Sequence, residues 1–177
     1  QCIFAEREGA VVAPAAGLHF SRGLLTRLQI KGVKKAFVTV HSGLGAFREI
    51  DVEDLTKHRM DSEQMEANEE LVQTVNSAKD EGRRVCAVGT SVLRAIATAD
   101  SMGGHMKTYD GWTNKFIFPP YDFSVASSLV TNFHMPYSTM LMMVAAFGGY
   151  DLVMKAYKTA VEEGYRFGCY GDAMLII

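Results

Sequence analysis

The sequence is short of the residues that staple small scaffolds, with three cysteines and four prolines in 177 residues. Cys2, Cys86 and Cys169 are odd in number and widely spaced, with no CxxC or Cys/His spacing. That excludes a disulfide framework or zinc ribbon and points to a reducing, cytoplasmic setting. Cys86 sits in an apolar run and is expected to be a small core residue. The five histidines are scattered without HExxH spacing, so no metal is expected. An excess of positive charge is missing too. At a formal net charge of −2 the chain has no global field for nucleic acid, and any RNA contact must be local or come from elsewhere. No apolar run nears the roughly 20 residues that span a bilayer. The richest, Met140 to Phe147, is far shorter, and no membrane association is expected. Internal repeats, low-complexity tracts and signal-peptide patterns are also lacking.

What is present is ordinary globular material, 48% hydrophobic and 21% charged, enough for one real core. Residues 1–177 are expected to form a single domain. The start at Gln1, without methionine and running into Cys-Ile-Phe-Ala, reads as a piece of a longer chain.

Short β-branched runs alternate with helical periods. Ala36–His41, Arg84–Gly89, Leu129–Phe133 and Ala173–Ile177 read as strands. Ser21 is placed to N-cap a helix ending near Gly32, Asn68 one ending at Gly82, and Ser138 one ending at Gly148-Gly149. Val92–Ala99 and Asp151–Glu163 have helical spacing, and Gly164 stops the latter. The alternation predicts an α/β fold with a mainly parallel sheet and flanking helices. Met102–Asp122 reads as an irregular loop or short hairpin, and His58–Glu63 as an exposed charged loop.

In such folds ligands bind at the carboxyl ends of parallel strands. Three predicted strands end there in polar turns: His41-Ser42-Gly43-Leu44-Gly45, Gly89-Thr90-Ser91-Val92-Leu93-Arg94, and Thr131-Asn132-Phe133-His134. A parallel sheet would gather them on one rim. Thr90 and Ser91 can offer hydroxyl and backbone N–H groups to an anion, or simply cap a helix. Arg94 falls in that helix's first turn, where a cation is disfavoured; a ligand carboxylate or phosphate would explain its placement, and so would a solvent-facing side chain. His134 and His41 can exchange protons near neutral pH. His19, after Ala13-Pro14-Ala15-Ala16-Gly17-Leu18, lies beside a helix start and could face a ligand or merely cap.

These segments, with Gly111-Trp112-Thr113, Pro136-Tyr137-Ser138-Thr139, Gly164-Tyr165-Arg166-Phe167 and Tyr170-Gly171-Asp172-Ala173-Met174, stand in an order that resembles the S-adenosylmethionine:tRNA ribosyltransferase-isomerases. The likeness spans essentially the whole chain. It implies the C-terminal part of a protein about twice this length, and a barrel-like α/β main domain without the family's N-terminal part and small β-barrel. It implies transfer of the ribosyl group of S-adenosylmethionine to 7-aminomethyl-7-deazaguanine in tRNA, with adenine and methionine leaving and epoxyqueuosine formed. S-adenosylmethionine would be a co-substrate, with no further cofactor. At the matching positions His41 and His134 would transfer protons. Thr90, Ser91 and Arg94 would hold the methionine or ribose end, while His19, Asn132, Glu63 and Asp172 would orient substrate. The sequence departs from the family pattern at Ser42, Ala46, Asp61, Val92 and Ala97. Such changes would accompany an altered substrate or a lost activity, leaving a non-catalytic tRNA- or partner-binding module as the alternative. The isolated 177 residues are expected to be inactive.

Overall fold

In the computed structural model, which describes residues 1–101 and 103–177, two three-stranded sheets share one apolar core. The first sheet has the order β1 (Thr39–His41), β2 (Glu63–Ala67), β4 (Tyr109–Thr113), and both pairings are antiparallel. In the second, β3 (Cys86–Val88) runs parallel to β5 (Ser128–Asn132), and β6 (Ala173–Ile176) closes the other edge of β5 antiparallel. The expected α/β class is what the chain adopts. The expected mainly parallel sheet is corrected, however: among the described strands β3 and β5 make the one parallel pair, where Ala87 faces Leu129 in register, and the other three pairings are antiparallel because β2, β4 and β6 enter as strands beside antiparallel neighbours.

The helices form for local reasons. Ser21, Asn68 and Ser138 each accept a bond from the backbone N–H three residues on, which starts α1 (Arg22–Ile30), α2 (Glu69–Asp80) and α4 (Thr139–Gly148). Glu69 and Glu70 add negative charge to the first turn of α2. Gly82 and Gly164, at φ 66° and 73°, let the chain turn away after α2 and after α5 (Tyr150–Glu162). The third helix, α3 (Thr90–Ala99), begins two residues before the expected Val92, because Gly89 at φ 102° serves as its N-cap. No single helix among the described residues is long and apolar enough to cross a membrane.

Two strands escaped the sequence reading. The supposed charged loop ends at Glu63, which instead opens β2 and is 4% exposed. Met65 and Ala67 follow on the same buried face, and Gln64 points out. β4 lies inside the stretch read as loop or hairpin; Met102, where that stretch starts, is outside the described residues. Cys86 is a further correction. It is exposed, since β3 alternates and puts Ala87, not Cys86, against the core.

α3 lies between the sheets and touches strands of both. Leu93 and Ala95 are fully buried, and Ile96 and Ala97 nearly so. The sheets thus meet through this helix. Leu129, buried on β5, should show how much that core contributes. Leu129→Ala is expected to lower stability by about 2–5 kcal/mol in urea unfolding, the usual cost of a core leucine.

Candidate functional site

The start of α3 sits at the exit of β3, beside the exit of β5. Gly89 N–H donates to Val130 O at 2.8 Å, which joins the two exits. Against Gly89 rests the 3-10 turn Ala15–His19: a Cβ at Gly89 would lie 3.6 Å from the Ala16 Cβ. The turn itself packs tightly, since a Cβ at Gly17 would meet Cys2 Sγ at 3.1 Å. Close approach explains glycine at Gly17, whereas Gly89 is glycine for its backbone, at φ 102°.

This packing delivers His19 to Asn132. His19 Nε2 lies 3.1 Å from Asn132 Oδ1. A carbonyl oxygen only accepts, so Nε2 carries the proton and Nδ1 is left as an acceptor. Asn132 itself is buried and held from the other side. Its Nδ2 donates to Gly168 O at 3.0 Å and reaches Gly171 O at 3.5 Å. The 166–172 loop that supplies these carbonyls is closed by Asp172, which accepts from Arg166 N–H at 2.8 Å. Asp172 therefore fastens a loop that orients Asn132. The sequence reading missed the two glycine carbonyls, because backbone groups leave no side-chain signal.

One turn into α3, Arg94 meets Glu63 of β2. Their side chains are 6% and 5% exposed, and the guanidinium faces Glu63 Oε2. The other oxygen, Oε1, accepts Gly43 N–H at 3.0 Å, two residues beyond His41. Burial pulls the Arg94 pKa below its ordinary value, yet an arginine in contact with a carboxylate remains charged at neutral pH. The pair draws the turn after β1, which belongs to the other sheet, to the side of α3. The exit of β1 thus reaches α3 through a side-chain clamp, and Thr90, at the start of that helix, is buried.

The remaining expected residues take different places. The His41 ring lies against Gly9, where a Cβ would come within 2.6 Å of Nδ1. Ser91 is half-buried in the first turn of α3. His134 turns back on its own strand, with Nε2 2.8 Å from Thr131 Oγ1, and its N–H donates to Tyr157 Oη at 2.9 Å. Burial pulls its pKa down to about 4, so the ring is neutral near pH 7. The loops after β1 and β5 are tied together by Ile50 N–H to Tyr137 O at 2.8 Å, with Tyr137 at φ 58°.

A family model described as queuosine biosynthesis protein matches residues 1–176. A relative from Phocaeicola vulgatus named S-adenosylmethionine:tRNA ribosyltransferase-isomerase is 70% identical over 177 residues, all of this chain and 50% of its own length. One of the same name from Parabacteroides distasonis is 71% identical, with 51% of its length covered. A crystal structure described as an S-adenosylmethionine tRNA ribosyltransferase from Thermotoga maritima is 40% identical. It superposes with TM-score 0.76 over 92% of this chain and 51% of that one. The chain spans about half the length of the curated relatives it matches.

Two outcomes follow from the geometry. Glu63→Gln strands a buried Arg94 charge and is expected to cost about 3–5 kcal/mol in chemical denaturation, with Glu63→Gln/Arg94→Met recovering much of that loss. For His134 the folded pKa of about 4 lies below the ordinary 6.5, so the unfolded chain binds the extra proton between those values. Its contribution to stability is full above pH 6.5 and is lost as pH falls toward 4. His134→Gln should flatten that part of a stability-against-pH curve.

Proposed function

The chain belongs to the queuosine biosynthesis protein family, and from that premise we propose that, in the complete protein, it helps form the site that moves the ribosyl group of S-adenosylmethionine to tRNA. The acceptor is 7-aminomethyl-7-deazaguanine, adenine and methionine leave, and epoxyqueuosine is the product. The observation that carries this reading is identity of up to 71% over the whole chain with proteins named for that reaction. The rim built by His19, Gly89, Thr90 and Asn132 supports it.

The chemistry asks for a base beside the sulfonium, an acid for departing adenine and a holder for the methionine end. His19 suits proton transfer best. It is exposed, its Nε2–H is fixed by Asn132, and its Nδ1 is open. His41 ends β1, just before the turn whose Gly43 N–H Glu63 holds, and is the second proton carrier. His134, neutral and bonded to Thr131, acts as an uncharged donor or acceptor if it meets substrate at all. Thr90 and Ser91 open α3, where the first-turn N–H groups lack intrahelical partners and favour a carboxylate. Glu63 and Arg94 neutralise each other, so they shape the site and do not bind the methionine carboxylate. The reaction takes place in the cytoplasm, and the 177 residues alone do not complete it.

The test is adenine release from S-adenosylmethionine by the complete protein, with and without precursor-bearing tRNA. Release is expected only with that tRNA, and His19→Gln should slow it by about 10²-fold or more. Asn132→Ala, which frees the ring and unpairs two carbonyls, should act in the same direction. Tight tRNA binding without adenine would replace this reading by the non-catalytic module.

A further inference from the structure

We propose that α1 and the free edge of β1 form the docking surface for the remainder of the family's polypeptide, which lays an extended strand along residues 36–40 and covers α1. This goes beyond the activity proposed above and does not depend on it.

The first observation is that α1 buries nothing. None of its nine residues is buried, whereas α2, α3, α4 and α5 each bury at least three. It is not a polar helix: Leu24 is 38% exposed and Ile30 80%, with Leu25 and Leu28 half-buried. A helix this short does not hold itself in water and relies on packing an apolar face. Val33 and Phe37, which follow it, are 47% and 56% exposed.

The second is an unfinished strand. Ala36–His41 has strand character throughout, yet β1 is paired over Thr39–His41 alone. Residues 34–37 carry no backbone hydrogen bond among the described residues. β1 also ends its sheet, with β2 on one side and no strand on the other. An open apolar edge is a ready template for another strand. Phe4 joins the two features, its ring centroid 6.2 Å from Phe20, which precedes the cap of α1, and 5.9 Å from Phe37.

The third concerns what fits. Curated relatives of the same family carry about as many residues again in the same chain. Tethering places that segment at high local concentration beside this surface. Arg22, Arg27, Lys31, Lys34 and Lys35 are interspersed along this segment, with no acidic residue between Arg22 and Arg48. An acidic-rimmed segment of polypeptide complements that charge. A nucleic acid would neutralise the cations but leave Leu24, Ile30 and Phe37 in water.

The test uses a chimera in which these 177 residues replace the matched half of the Phocaeicola vulgatus relative, compared with the 177-residue chain alone. Amides of residues 22–41 are expected to exchange about tenfold or more slowly in the chimera. Ile30→Glu and Phe37→Glu should lower the melting temperature of the chimera by several degrees. Ile30→Glu should leave that of the 177-residue chain unchanged, since this side chain is already 80% exposed. Val161→Glu, on exposed α5 surface, should change neither. Equal exchange in both proteins, or variants without effect on the chimera, would overturn the proposal. So would protection of 22–41 in the 177-residue chain that rises with concentration, which assigns the surface to a second copy. Protection appearing in the chimera only on adding tRNA assigns it to RNA and overturns it equally.

Discussion

Glu63 and Arg94 meet between the two sheets with their charged groups out of water. Neither ion could be buried alone; each is tolerable because the other is there and because Gly43 N–H takes the remaining carboxylate oxygen. Such a contact contributes little net stability compared with apolar packing. What it contributes is geometry: one arrangement of β2, α3 and the turn after β1 satisfies both charges, and sliding any of them strands a charge. The two sheets share no strand. The clamp therefore sets where the His41 turn stands relative to the exits of β3 and β5.

Around that fixed point the rim is assembled from short-range contacts. The Ala15–His19 turn packs beside Gly89 and presents His19, and Asn132 orients it. The polar groups at the base of the rim are satisfied by neighbouring protein, while the His19 ring faces out. A buried, fully bonded base under an open imidazole is the usual economy of a site that must hold one tautomer and still exchange a proton.

Much of this was legible in the sequence where local chemistry speaks. Ser21, Asn68 and Ser138 mark their helices as caps, and Gly82 and Gly164 mark the ends. Val-rich strands at 36–41 and 84–89 are visible from composition, although the ladders are shorter. β2 is invisible because its buried face begins with glutamate, which reads as solvent-loving until Arg94 is placed opposite. β4, Tyr-Asp-Gly-Trp-Thr, carries aspartate and glycine, both poor strand formers, and exists because β2 supplies its ladder. Cys86 misleads in the opposite sense, since an apolar run does not say which face of an edge strand is covered. The role of Arg94 was open for the same reason: its partner lies 31 positions away, on a strand that propensity does not reveal.

Asn132 spends its whole amide on two masters, with Oδ1 on His19 and Nδ2 on the carbonyls of Gly168 and Gly171. The planar amide is rigid, so a tilt imposed at one end is transmitted to the other. Any guest that pulls on the imidazole thereby tightens or loosens the hairpin-like closure of residues 166–172, and by reciprocity the order of that closure tunes how firmly the guest is gripped. A single asparagine gives the C-terminal segment, distant in sequence from His19, a mechanical say in what happens there.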